Sequence, residues 1–550
     1  MLGIDHEPGV LDASQSSELK KRNSHSQPKG TVKTMRHITS TNSVARIAGV
    51  LASILAFALC GLAQVGGPPA PGTRSTPLPL SGRNGQGGGV ITTEAPVPST
   101  TTSVNALNPA VSVSGAYVGS ILSTATNPFS GKLSLEDAIH RGTAYNLGAV
   151  GMNQALRQVR GQAKAARSAL LPNISGSVAD TEETINLRSF GFNFNFPGFT
   201  LPTVVGPFNV LDVRARLSQS IGDFTAINNY RSARQLARAG DFAARDAQDL
   251  VALAVAGSYL QVIAASARVE AARAQLETAN SLNQRTILEL QSGRAAEIDV
   301  NHSRVEVLLE QERLITLQNE LAKQKITLAR LTGLPPNDQY EISNSIPFAP
   351  APPISVEDAL RQALDQRADL KAAEVQVTAA ERALAAARAE RLPSGSLSAD
   401  FGGIGPASQL HSTYTVVATL SVPIWNGGRT SGAIQQAEAA LAQRRAELED
   451  SRSQVESEVR RAYLDVAAAA NQVEVARQNL DVNHETLGQT RVKYETGVGT
   501  NVDVVQSQQS LSSAQLDYID SIFAHNLAKL SLARALGGTA DKLAQFLSVQ

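Results

Sequence analysis

The chain has 550 residues, with 49 basic side chains against 49 acidic ones and only 4% aromatic residues. Zero formal charge, with no basic run, excludes the electrostatic footprint of a nucleic-acid binder. A single cysteine, Cys60, excludes a disulfide framework and a thiolate metal centre, and the eight histidines fall in no paired ligand spacing, so no metal and no cofactor is expected.

Residues 47–63 are apolar, follow Arg46 and end on the small residues Gly61 and Ala63. That layout fits a secretory signal and falls short of the roughly 20 residues a spanning helix needs. Residues 1–63 are therefore read as leader and signal peptide of an exported chain. Met35-Arg36-His37 offers a second start beside Met1. Cys60 follows Leu59, a larger residue than lipoprotein processing favours, so it reads as an incidental signal residue, with lipidation as the alternative. Residues 64–130 are dense in Pro, Gly, Ser and Thr and read as a mobile or extended linker. The glycine-rich patch at 82–89 follows no strand and precedes no Lys-Ser or Lys-Thr, so it is no phosphate loop.

Past the linker the chain states one pattern twice. Residues 135–177 lie over 356–398 without a gap, matching Glu136-Asp137-Ala138 with Glu357-Asp358-Ala359 and Leu171-Pro172 with Leu392-Pro393. Residues 259–333 lie over 463–537, matching Tyr259 with Tyr463, Gly293 with Gly497 and Asp299 with Asp503. A repeat of about 200 residues is too long for a solenoid unit and signals a duplicated domain. We read a first repeat at 131–334, a linker at 335–353, a second repeat at 354–538 and a tail at 539–550.

Each repeat opens on a helix or broken helix pair, 133–171 and 354–392, free of proline until Pro172 and Pro393. A strand hairpin is expected next, at about 173–220 and 394–424. Leu211, Val213, Ala215 and Leu217 alternate with Asp212, Arg214, Arg216 and Ser218; Tyr414, Val416, Ala418 and Leu420 alternate with polar neighbours; Leu397, Ala399 and Phe401 give a third strand. The fourth is poor, because Asp180 falls where its mate has Phe401. Such alternation fits a membrane β-barrel with a wet lumen, and the pattern alone slightly favours an ordinary half-buried sheet. Phe190, Phe192, Phe194, Phe196 and Phe199, with Gly and Asn between them, read as an exposed loop or membrane rim rather than core.

No proline interrupts 224–291 or 428–495, so each repeat holds a candidate helix about 100 Å long. Val459, Val466, Val473, Leu480, Leu487 and Tyr494 recur at sevens, as do Val255, Val262, Val269 and Leu276 before Asn283 breaks the series. A seven-residue period means left-handed coiled-coil packing. The long helices end at tips, 292–300 and 496–504, and second helices follow at 298–333 and 502–536. Two strand hairpins on helices of that length make no compact globule, and four strands close no barrel, so further copies of the chain are required.

The duplicated order of helix, Leu-Pro, strand hairpin, long helix, glycine tip and second helix resembles the TolC-like outer-membrane efflux protein family over residues 133–538. Its most specific pieces are the paired tips, Ser-Gly-Arg-Ala-Ala-Glu-Ile-Asp-Val and Thr-Gly-Val-Gly-Thr-Asn-Val-Asp-Val, and the junction Leu-Ser-Val-Pro-Ile-Trp-Asn-Gly-Gly-Arg at 420–429. The resemblance implies an α+β membrane protein: a homotrimer whose chains each give four strands to a 12-stranded β-barrel in outer-membrane lipid, continued by a coiled-coil helical tunnel in the periplasm. It implies a passive exit duct of a tripartite efflux or type I secretion system, partnered by a periplasmic adaptor and an inner-membrane transporter.

By the same resemblance Gly293, Arg294, Ala295, Ala296, Gly497, Val498, Gly499 and Thr500 fall on adaptor-contacting tips, and Asp299, Asp503 and Tyr494 on the constriction. Three copies of an aspartate at a constriction would attract cations. The same carboxylates also suit the first turn of a helix after a glycine. The chain departs from the family pattern at Gln506, where a second aspartate is usual, and at Gly499, in place of a gate arginine, with Arg294 as a substitute. The alternative function is an exported coiled-coil scaffold without a pore. No enzyme is expected: there is no His-Glu-x-x-His, phosphate loop or Gly-x-Ser-x-Gly, His484-Glu485 lacks a second histidine, and three methionines with one tryptophan form no cofactor box.

Overall fold

The computed structural model describes residues 90–96, 107–122, 131–191, 202–337, 340–343, 348–538 and 546–547, all within the unit Pro77–Gln550. The signal segment, Cys60, the patch at 82–89 and the phenylalanines from Phe192 to Phe199 lie outside the described residues, as does the Phe190 side chain.

In the stretch read as a linker, β1 (Val90–Pro96) and β2 (Leu107–Val113) form an antiparallel hairpin paired from Val90↔Val113 to Pro96↔Leu107. Val90 is buried and Val113 packs on the main core, so a few β-branched residues at one end anchor a hairpin that composition reads as linker. A 3-10 turn, Gly115–Val118, buries Tyr117. Strand β3 (Lys132–Leu133) then pairs in parallel with β6 (Glu341–Ile342), which joins the start of the first repeat to the inter-repeat segment.

Helices α1 (Leu135–Tyr145) and α2 (Leu147–Ser168) follow, and their counterparts are α5 (Val356–Gln366) and α6 (Ala368–Ala389), of 11 and 22 residues in both cases. Each pair is broken rather than continuous. Ser134 and Ser355 cap the first helices by accepting from the Asp137 and Asp358 amides. The breaks use different chemistry. Buried Asn146 accepts from the Gly148 N–H and donates through Nδ2 to the Tyr117 carbonyl, whereas buried Arg367 pairs with Asp369 and Glu458, both at 2.6 Å.

Strands β4 (Asn173–Asn186), β5 (Val204–Ile221), β7 (Ser394–Gly405) and β8 (His411–Ser421) form one antiparallel sheet in the order β4-β5-β7-β8. Its register sorts the faces. Ser177, Arg214, Arg216, Asp400, Thr413 and Thr415 fall on one side; Ile174, Val178, Leu217, Phe401, Tyr414 and Val416 fall on the other. Strand β4 forms in spite of Asp180, because its ladder to β5 overrides the weak side-chain pattern. β4 and β8 each have an edge with no partner strand among the described residues.

Four helices complete the fold: α3 (Phe224–Gln291), α4 (Glu297–Thr332), α7 (Arg429–Glu495) and α8 (Asn501–Ala535). The 68 residues of α3 and 67 of α7 span about 100 Å at 1.5 Å per residue. Val459, Val466, Val473 and Leu487 of the seven-residue series are buried, and so are Val255, Val262 and Val269. After that α3 buries Ala272, Gln275 and Ala279 instead.

The middle of α3 is apolar enough to pass for a membrane span, with mean hydropathy 1.8 over 18 residues. It is core. Residues 250–256 are all buried with α1, the β1–β2 end, the ends of α4 and α8, and Leu547. Tyr259 donates to the Leu133 carbonyl at 2.9 Å, and a buried ion pair joins Asp246 of α3 to Arg534 of α8.

Candidate gate and docking tips

Each tip is a tight reversal that glycine makes possible. Gly293 (φ 71°) and Gly497 (φ 76°) occupy the left-handed region directly after α3 and α7, where a side chain would be strained. The amides that follow turn back on the closing helix: Arg294 donates to the Glu289 carbonyl at 2.8 Å, and Val498 and Gly499 both donate to the Lys493 carbonyl at 3.0 Å. Gly293, Arg294, Ala296, Gly497, Val498 and Thr500 are exposed, Val498 to 81%, while Ala295 and Gly499 are half-buried. An apolar residue so exposed at a turn is available to a partner surface.

Asp299 and Asp503 sit at matching positions and perform the same local task. The Ala296 N–H donates to Asp299 Oδ2 at 3.1 Å, and the Thr500 N–H donates to Asp503 Oδ2 at 2.9 Å. Thr500 Oγ1 also donates to Asp503 Oδ2 and accepts from the Asp503 amide. Those bonds from the Thr500 hydroxyl and amide hold the Asp503 carboxyl below the usual carboxylate range. Both aspartates thus serve as helix-starting carboxylates, and Asp503 keeps its charge exposed.

Tyr494 ties the two long helices together. Its hydroxyl donates to Glu289 Oε2 at 2.6 Å, Arg285 bonds Glu289 at 3.2 Å, and Arg285 reaches Glu495 at 2.8 Å. Burial, with the Glu289 carboxylate second, pushes the Tyr494 phenol up to about 12. Glu289 and Arg285 escaped the sequence reading, although their i,i+4 spacing beside a glycine tip was visible. So did Asn501, which is buried and donates to the Asp299 carbonyl at 3.1 Å, stitching the second tip to the first. Arg294 bonds Ser292 Oγ at 3.1 Å within its own tip.

Above the tips polar links join the two hairpins. Gln509 Nε2 donates to Glu306 Oε2 at 2.8 Å, Arg313 donates to Ser512 Oγ at 2.7 Å, and Gln275 pairs with Gln515 at 2.7 Å. Glu310 sits beside them, its carboxyl pushed up by burial against the opposing pull of Arg313. Among the described residues no group of three His, Cys, Asp or Glu is placed to hold a metal ion.

Long paired helical hairpins joined to a small antiparallel sheet with open edges define an α+β protein of the TolC-like channel class. The sequence matches the family described as outer membrane efflux protein over residues 151–334 and 359–538. Among curated relatives, the pyoverdine export outer membrane protein OpmQ of Pseudomonas putida is 27% identical over 288 residues, covering 52% of this chain and 61% of that protein. The outer membrane protein TolC of Vibrio cholerae is 22% identical over 387 residues, covering 68% and 84%. The chain thus spans less than two thirds of the first of these relatives. In fold it is similar to the outer membrane protein VceC of Vibrio cholerae, at TM-score 0.62, 20% identity and 74% and 96% coverage. It is similar also to the Campylobacter jejuni CmeC outer membrane channel, at TM-score 0.64, 17% identity and 84% and 98% coverage. The chain belongs to the outer membrane efflux protein family. Its place is the cell outer membrane with a large periplasmic part, and the family is one of ducts rather than enzymes.

Proposed function

We propose that this chain is one protomer of a trimeric exit duct, two duplicated repeats per chain, that carries cargo passively across the outer membrane. The observation that carries the reading is the four-stranded sheet. Ile174 (75%), Val178 (72%), Tyr414 (76%) and Leu420 (73%) are exposed on its apolar side, its other side is mostly polar apart from Val210, Ile404 and Val417, and neither edge strand has a partner among the described residues. A lipid-facing surface, a wet lumen and two further copies to complete a 12-stranded barrel account for all three features together.

The helices then form the periplasmic tunnel, and the tips are its far end. Gly293 to Ala296 and Gly497 to Thr500 would meet a periplasmic adaptor coupled to an inner-membrane transporter, with exposed Val498 as the apolar contact. Asp299, Asp503 and Tyr494 would line the constriction. The capping bonds of Asp503 leave its charge intact, so three copies would form an acidic ring that draws cations.

Single-channel recording in a planar bilayer tests this. Discrete steps that added divalent or trivalent cations block, less so in Asp503→Ala, are expected. Steps with unchanged block would remove Asp503 from the constriction. A well-folded oligomer without steps would leave the exported scaffold.

A further inference from the structure

Two stretches directly beneath the sheet are basic without acidic relief. Helix α2 carries Arg157, Arg160, Lys164 and Arg167 and no Asp or Glu. Residues 224–240 of α3 carry Arg231, Arg234 and Arg238 and again no acid. In a chain with equal basic and acidic totals, seven of one sign here is a marked excess. Spacings of three and four residues align each set along one stripe of its helix. Arg160 bonds Asp241, the next position of the α3 stripe, at 2.6 Å, so the two stripes run side by side. All seven side chains are exposed, and among the described residues the other six have no ion-pair partner.

An apolar rim lies immediately above. Where α2 enters β4, Leu171 and Ile174 are 45% and 75% exposed; where β5 enters α3, Ile221 and Phe224 are 56% and 51% exposed. Gln219 Nε2 donates to the Leu170 carbonyl at 2.9 Å and Ser220 to the Ala169 carbonyl, which brings the two junctions together. Arg167 is about one helical turn below Leu171, and Arg231 about two below Phe224. The second repeat has no such excess: Arg388 pairs with Glu438, Arg445 with Glu381 and Arg429 with Glu390.

We propose that the α2 and α3 stripes form a seat for anionic phospholipid headgroups of the periplasmic leaflet, present in the first repeat only. The inference rests on reading the sheet as membrane-embedded. Guanidinium groups match phosphate oxygens geometrically and electrostatically, and the rim above takes the first acyl carbons. The seat fixes how deep the sheet sits.

The test is native mass spectrometry of the detergent-solubilised full chain with added phosphatidylglycerol or phosphatidylethanolamine. It compares wild type with the combined variant Lys164→Gln, Arg167→Gln, Arg234→Gln and Arg238→Gln, none of which touches the core. Wild type should retain phosphatidylglycerol over phosphatidylethanolamine by about tenfold, the scale of one or two surface basic groups, and the variant should lose that preference while still binding both lipids. An equal preference in both proteins overturns the seat and leaves the membrane reading intact. Equal displacement by soluble glycerol 3-phosphate assigns the stripes to free phosphate and overturns the lipid seat. Failure of both proteins to retain any lipid overturns the membrane reading itself.

Discussion

The Tyr494 hydroxyl donates to Glu289 Oε2 at 2.6 Å, and that one bond joins the last turn of α7 to the last turn of α3. Because Arg285 holds Glu289 from the other side, the acceptor is charged and fixed. Hydrogen bonds to charged groups contribute about 1.5–3 kcal/mol, and partial exposure places this one near the lower end. Tyr494→Phe should therefore raise the fraction of time in higher-conductance states by about tenfold in planar-bilayer recordings. Recordings identical to wild type would remove Tyr494 from the proposed constriction.

The same tyrosine sets a pH dependence. Its folded pKa, about 12, lies above the ordinary phenol value of about 10, so its contribution is complete below about pH 10 and lost as pH rises through about 12. Burial pushes the Tyr340 phenol up as well, so ultraviolet titration of the phenolates should show both Tyr340 and Tyr494 ionising late, and Tyr494→Phe should reduce the late step without abolishing it.

Thr500 supplies a hydroxyl cap to α8, and Thr500→Ala should lower protection of the first turn of that helix by about 1 kcal/mol in hydrogen exchange. Asp503, held below the carboxylate range, acts in the acid direction. Its contribution is present above about pH 4 and lost as pH falls through its lowered value. The tip should loosen only in strong acid. Protection that falls instead near neutrality would contradict this assignment.

Asp246 and Arg534 form a buried ion pair between α3 and α8. Asp246→Ala leaves the guanidinium without its main counter-charge, and the expected loss is about 3–5 kcal/mol in denaturant unfolding. The combined Asp246→Leu and Arg534→Met change should be milder than either single one. Greater harm from the double change would show that the pair stabilises more than its replacement by apolar packing.

Gly402 allows β7 to lie close to β5, since a Cβ there would fall on the Val213 carbonyl oxygen. Gly402→Val should disrupt the ladder between these strands and abolish heat-modifiable migration of the proposed trimer, while far-ultraviolet helix signal stays near wild type. Retained heat-modifiability would mean that β7 moves aside at little cost.

Legibility differed by the range of the interaction involved. The long helices were readable because local signals agree along their length: no proline, a seven-residue period, and glycine at Gly293 and Gly497. Three strands were readable from alternation. β4 was read weakly because Asp180 interrupts the face, and its pairing with β5 is a non-local effect that no window of sequence contains. The β1–β2 hairpin was hidden for the same reason, since its order depends on Val90 and Val113 meeting a core assembled from distant helices. At the tips, glycines and aspartates could be placed by spacing. The partners that define their geometry, Glu289, Arg285 and Asn501, are brought in by packing between hairpins, as are Arg534 and Asp246, which lie 288 residues apart in the chain.

The two helix breaks answer to different parts of the molecule. Asn146 reaches the Tyr117 carbonyl at 2.8 Å and, more weakly, that of Leu331 near the end of α4 at 3.5 Å. Arg367 grips Glu458 in the middle of α7. The bend between α1 and α2 is thus bonded to the end of α4, and the bend between α5 and α6 to the middle of α7. Two joints of equal length, built at equivalent places in the two repeats, are geared to different shafts.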